Sequence, residues 1–182
     1  SLLPHVTESG VKIMSMNMLL PNATDPVLWR GPVISGVVKQ FWEDVQWGDV
    51  DFLFVDMPPG TGDVPLTVFQ SLPINGILIV STPQSLVSMI VDKAMNMAQM
   101  MQVPVLGMVE NMRFLRCPDC GKEIPLFGSD DHVDNHAVPV LERIPLDPTV
   151  AAACDAGKLE QAEIDYLAKT AVMLTETFGK KQ

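Results

Sequence analysis

Apolar positions along this chain follow two rhythms, and the way they alternate predicts the architecture. Unbroken apolar runs fall at Phe52–Val55, within Gly76–Ser81 and within Val103–Val109, each bounded by turn residues, as expected of strands buried on both faces of a parallel sheet. Val11–Met18 alternates as a further strand would, and Val138–Ile144 predicts another near the end. Between them the spacing turns helical. Val33, Val37, Val38, Phe41 and Val45 share one face of a helix that Gly31-Pro32 opens and Trp47-Gly48 ends. Leu66, Val68 and Phe69 belong to a short helix that Asp63 can cap and Pro73 stops. Met89, Ile90, Ala94, Met97 and Met101 mark a long helix over 84–101, and two more helices are expected over 149–156 and 161–178. Strand and helix alternating with short connections predict an α/β fold, a three-layer, doubly wound, mostly parallel sheet. No linker or internal repeat divides it, so residues 1–182 read as a single domain.

Composition narrows the function more than the fold. With 182 residues, 47% hydrophobic and 19% charged, the chain can bury a sizeable core. A formal net charge of -10 argues against a nucleic-acid partner, because neutralising phosphates requires a basic face. The apolar run at Ile77–Val80 is soon broken by Pro83 and Gln84, far short of the roughly 20 residues of a membrane span. No signal peptide is seen, so a cytoplasmic location without membrane attachment is expected. The twelve methionines read as core filling, since Met packs irregular gaps.

Candidate chemistry concentrates at two places. Asp56 follows Phe52–Val55 directly and leads into Met57-Pro58-Pro59-Gly60-Thr61-Gly62-Asp63. At the carboxyl edge of a parallel sheet such a carboxylate can hold magnesium through water, while the Pro59-Gly60 backbone senses a terminal phosphate. The other place is Cys117-Pro118-Asp119-Cys120-Gly121, a knuckle in which two thiolates face one ion and the glycine permits the turn. Its setting among Pro, Gly and Asp favours metal or cluster binding over a redox dithiol. Two thiolates leave a four-coordinate site half filled. His132 and His136 can complete it as C-x2-C-x11-H-x3-H with zinc, or a second copy of the chain can supply the same cysteine pair across a two-fold axis. Cys154 is expected to be a buried small hydrophobe.

Taken together, Trp29-Arg30-Gly31-Pro32, Asp56–Asp63, Val109-Glu110-Asn111-Met112, the Cys117–Cys120 knuckle and Ile144-Pro145-Leu146-Asp147-Pro148 stand in an order and spacing that resemble the Mrp-type ATP-binding iron-sulfur cluster carriers. That group belongs to the MinD/ParA-like deviant P-loop ATPases, and the resemblance runs from about Gly10 to about Glu160. It implies that Asp56 serves the catalytic magnesium site, that Asn111 contacts adenine, and that the loop with Pro145 and Asp147 closes over the base. It also implies that Cys117 and Cys120 from two subunits clamp one [4Fe-4S] cluster. Such a protein would be a slow ATPase and a homodimer that binds ATP and Mg2+ and passes its cluster to apo iron-sulfur proteins. The chain departs from the pattern in one respect: it carries no G-x-x-x-x-G-K-[ST] phosphate loop. It therefore reads as the carboxyl-terminal portion of a longer protein, a P-loop NTPase-type fold incomplete at the N-terminus. A strand, loop and helix of roughly 30 residues would precede Ser1. The rival readings are a zinc-knuckle binding module on a relic ATPase fold and a MinD/ParA-type positioning ATPase. Arg30 could pair with phosphate or a partner subunit and is equally compatible with a structural role.

Overall fold

A computed structural model describes residues 2–22, 24, 31–127 and 138–179. The chain forms two compact units, Ser1–Ile74 and Asn75–Gln182.

The first unit begins with β1 (His5–Val6) and β2 (Lys12–Ile13), paired antiparallel. The predicted strand over 11–18 is cut short. Ser15 accepts a hydrogen bond from Asn17 N at 3.3 Å and starts a 3-10 turn at Met16–Leu19, because a hydroxyl at that position competes for the backbone. Helix α1 (Gly31–Glu43) stops before the expected Trp47, whose indole Nε1 turns back to donate to Phe41 O at 2.9 Å and satisfies one of the terminal carbonyls. α2 (Asp63–Ser71) packs on α1, with Ser35 and Thr67 hydroxyls 2.8 Å apart. Residues Phe52–Val55 form no strand, a correction to the sequence expectation. Phe54 is 71% exposed, and its ring stacks on Phe52 with centroids 6.3 Å apart. An apolar run becomes a buried strand only when neighbours pair with both its edges; among the described residues no strand does so here.

The second unit holds the sheet. β3 (Ile77–Ser81), β4 (Val105–Glu110) and β7 (Val140–Arg143) lie in the order β3-β4-β7, all parallel, as the apolar runs predict. Helix α3 (Ser85–Met100) connects β3 to β4. The core gathers Ile79, Val91 and Met108, with Ile77, Val87, Met95, Val105 and Val138 packed around them. The buried stripe of α3 therefore runs through Val87, Val91, Met95 and Ala98, rotated from the Met89, Ile90, Met97 stripe that spacing suggested. Met89 and Met100 are exposed, so core filling holds for Met108 and Met95 and not for every methionine.

After β4 the chain makes an antiparallel hairpin, β5 (Phe114–Arg116) and β6 (Glu123–Pro125), that sequence periodicity does not announce. α4 (Pro148–Asp155) follows β7, and the predicted helix over 161–178 divides into a 3-10 turn at Leu159–Gln161 and α5 (Ala168–Phe178). Glu142 of β7 caps α5, its Oε1 accepting from Lys169 N at 2.8 Å and Thr170 N at 3.2 Å. Cys154 is exposed on α4, a helix without buried residues, which overturns the expectation of a buried thiol. Among the described residues no helix is long and apolar enough to cross a membrane.

Candidate functional site

In the first unit, Asp56 is exposed and leads into the Pro/Gly turn. Gly60 has φ +87, a conformation that side-chain-bearing residues rarely adopt, although open space surrounds it. The backbone angle, not crowding, selects glycine there. The turn ends at Gly62, the N-cap of α2, which makes no side-chain cap bond; Asp63 is already the first helical residue and does not cap as expected. Its carboxylate lies against Gly31 at the start of α1, where a side chain on residue 31 would overlap it. An acid at a helix N-terminus is favoured by the helix dipole, so Asp63 anchors the far end of the turn while leaving Asp56 open to solvent.

In the second unit, the carboxyl ends of β4 and β7 bring the other predicted residues close together. Asn111 follows β4, its N–H bonded to Ser81 O at 2.7 Å. Its side-chain Oδ1 accepts from Met112 N at 2.9 Å, which fixes the amide plane and uses one of the oxygen's two lone pairs. Met112 takes φ +52, unusual for a side-chain-bearing residue, so the turn is tightly specified. The loop after β7 runs alongside: Arg113 N donates to Ile144 O at 2.9 Å, and Leu146 N to Phe114 O at 2.8 Å. Pro145 is buried beneath this pairing, whereas Leu146 is exposed. Asp147 is the N-cap of α4. Its Oδ1 accepts from Thr149 N at 2.8 Å and Thr149 Oγ1 at 2.7 Å, and its Oδ2 from Tyr166 Oη at 2.7 Å. The Tyr166 hydroxyl, then the Thr149 hydrogen bonds, hold the Asp147 carboxyl below its ordinary value, while the same contact with Asp147 raises Tyr166. Asp147 thus builds the loop from within.

The cysteines sit at the tip of the β5–β6 hairpin. Gly121 N donates to Cys117 O at 2.9 Å, and Gly121 itself has φ +69, the left-handed turn that the glycine after the knuckle supplies. Cys120 is exposed and Cys117 half-buried. Hydrogen bonds from the Cys120 backbone, then the Asp119 backbone and the Cys120 thiol, lower the Cys117 thiol from its ordinary value. A thiol so placed yields its thiolate more readily, and the thiolate is the form that soft metals bind. Arg116 on β5 pairs with Glu123 on β6 at 3.1 Å, an exposed contact that sets register more than stability.

Sequence reading missed the group beneath both loops. Glu110, 1% exposed, accepts from Arg143 Nε at 3.0 Å and lies 3.7 Å from Arg113 Nε, with Arg113 also buried. An acid ending a buried strand was the available signal, but Glu110 and Arg143 become neighbours only through the β4–β7 ladder. His132, His136 and Arg30 lie outside the described residues. Among the described residues no group of three or more His, Cys, Asp or Glu is gathered that could hold a metal ion.

Residues 1–177 match the family described as ParA: NUBPL iron-transfer P-loop NTPase. This chain belongs to that family. Its parallel sheet with flanking helices is the P-loop NTPase fold. A nucleotide-binding protein from Archaeoglobus fulgidus, solved in complex with ADP and with cobalt found by PIXE, superposes with a TM-score of 0.75 at 38% identity, covering 90% of this chain and 64% of that one. Proteins named iron-sulfur cluster carrier protein are 44% identical in Clostridium perfringens over 161 residues and 44% identical in Methanocaldococcus jannaschii over 158 residues. Those alignments cover 87% and 85% of this chain but 56% and 54% of the relatives, so the chain spans about half their length.

Proposed function

We propose that this iron-transfer P-loop NTPase is part of an iron-sulfur cluster carrier in which Cys117 and Cys120 hold a [4Fe-4S] cluster as cargo, shared with the same cysteines of a second subunit. The observation that carries the reading is the hairpin itself, which presents a thiol made acidic by its neighbours at an exposed tip six residues beyond Asn111. Asn111, with its amide plane fixed, fits the edge of an adenine, and the loop of Pro145 and Asp147 supports the other side of the base. Asp56 is assigned to a magnesium ion accompanying ATP, with the Pro59-Gly60 turn following its phosphates. Hydrolysis would be slow, and the recipients would be apo iron-sulfur proteins. The names of the curated relatives and the ADP of the structural neighbour support this reading, as does a pair of cysteines with two residues between them at one hairpin tip.

Anaerobic reconstitution of the complete protein tests it. The expected product is an oxygen-sensitive brown species with about four irons per dimer, lost in Cys117→Ser and in Cys120→Ser. His132→Ala and His136→Ala should retain it. One air-stable zinc per monomer, released by the histidine substitutions, would instead identify a zinc knuckle of the C-x2-C-x11-H-x3-H type.

A further inference from the structure

Glu110 has no part in the chemistry proposed above, yet it occupies the best-buried position of the second unit's loop cluster. Its Oε2 faces both Arg143 Nε and Arg113 Nε, while its Oε1 is buried with no hydrogen-bond partner among the described residues. A buried carboxylate oxygen left without a partner is costly, and an apolar residue in place of such a pair is often as stable. Stability alone therefore explains this residue poorly. Geometry explains it better, because Arg113 is where three segments meet. Its N–H donates to Ile144 O at 2.9 Å, its O accepts from Leu126 N at 3.4 Å, and its side chain returns to Glu110. Glu110 O in turn accepts from Ile144 N at 2.8 Å. The turn carrying Asn111 is closed at both ends by this pair, and the residue after Arg113 is the first of β5, the strand leading to Cys117.

We infer that Glu110 is a positioning residue that, through Arg113 and Arg143, locks the Asn111 turn to the root of the cysteine hairpin, so that an adenine nucleotide at Asn111 is felt at Cys117 and Cys120. The inference rests on the assignment of the base to Asn111 and concerns how that site communicates. A ligand edge pressing on Asn111 cannot displace the turn without moving Arg113, and Arg113 cannot move without shifting β5 or breaking its contact with Glu110. The coupling element is thus a short rigid segment rather than a long chain of contacts.

The experiment follows alkylation of Cys117 and Cys120 by iodoacetamide in the complete, cluster-free protein, resolved by peptide mass spectrometry, without nucleotide and with Mg·ADP saturating for each variant. Wild type should show about a fivefold or larger change in rate on ADP binding, the lower end of ordinary site-to-site coupling. Glu110→Gln keeps the shape and removes the charge, and its ratio should fall toward one. Arg113→Lys keeps the charge without the Nε geometry and should give an intermediate ratio. Circular dichroism checks folding, and if Glu110→Gln does not fold, Arg113→Lys decides. A wild-type ratio of one with ADP demonstrably bound overturns the coupling and leaves the carrier reading standing. A large ratio unchanged in the folded variants shows that the buried pair is merely structural and also overturns it. Calorimetry showing no ADP binding by wild type overturns the base-site assignment together with the coupling.

Discussion

Replacing Asn111 by Asp separates two jobs that the side chain is argued to do. The carboxylate keeps an acceptor for Met112 N, so the 2.9 Å bond that shapes the turn survives, while the amide donor offered to the base is gone. Leaving a polar edge of a bound base unpaired costs about 1–3 kcal/mol. At about 1.4 kcal/mol per factor of ten, the Kd for Mg·ADP should rise roughly 5- to 150-fold. Asn111→Ala loses the turn bond as well, and with Met112 held at φ +52 it should lose somewhat more affinity together with some thermal stability. Titration calorimetry on the complete protein gives both affinities, and a parallel titration with GTP should show the preference for adenine narrowing in each variant. Wild-type affinity and selectivity in folded Asn111→Asp would refute the base contact and reduce Asn111 to a turn residue.

The remaining predictions concern the groups that build the loops. Glu110→Ala removes the buried carboxylate that faces Arg113 and Arg143 and should destabilise the protein by about 3–5 kcal/mol in urea melts, whereas Glu110→Leu combined with Arg113→Met should recover most of that loss; a cost near zero for Glu110→Ala would show the pair to be solvated. Asp147 has its pKa lowered by Tyr166 and Thr149, so the stability it confers is complete above the unfolded carboxyl value of about 4 and disappears as pH falls through the lower folded value. Tyr166 is raised by the same contact, so its share is complete below about 10 and disappears as pH rises through the higher folded value. Tyr166→Phe should therefore weaken both the acid and the alkaline pH dependence of unfolding, and identical profiles for variant and wild type would contradict the hydrogen bond.

The sheet was legible because β3 and β4 are continuous apolar runs with turn residues on either side, a pattern that needs no knowledge of neighbours. Phe52–Val55 has the same pattern and forms no strand, since pairing depends on edges that one segment's own residues do not encode. The α3 stripe was misplaced because Met89, Ile90, Val91 and Met95 make more than one side of that helix apolar, and packing against Met108 selects among them. The thiol pair could be read from its spacing, but the hairpin that raises it could not. Strands of three residues, Phe114–Arg116 and Glu123–Pro125, are too short to establish a period. The Glu110–Arg143 contact spans 33 positions in sequence and becomes visible only in the β4–β7 register.

The unequal anchoring of the cysteine hairpin sets an order in which its amides should meet solvent. At its root, the Arg113 N–H is held by Ile144 O of the loop after β7, and the Leu146 N–H of that loop is held by Phe114 O, so deuterium can enter there only when the two segments part together. At its rim, the Gly121 N–H closes a local turn on Cys117 O and lies among exposed residues, where opening disturbs nothing beyond the tip. Exchange at the rim should therefore run ahead of exchange at the root as a separate event. The tip that carries Cys117 and Cys120 can therefore open while the frame that aims it stays closed.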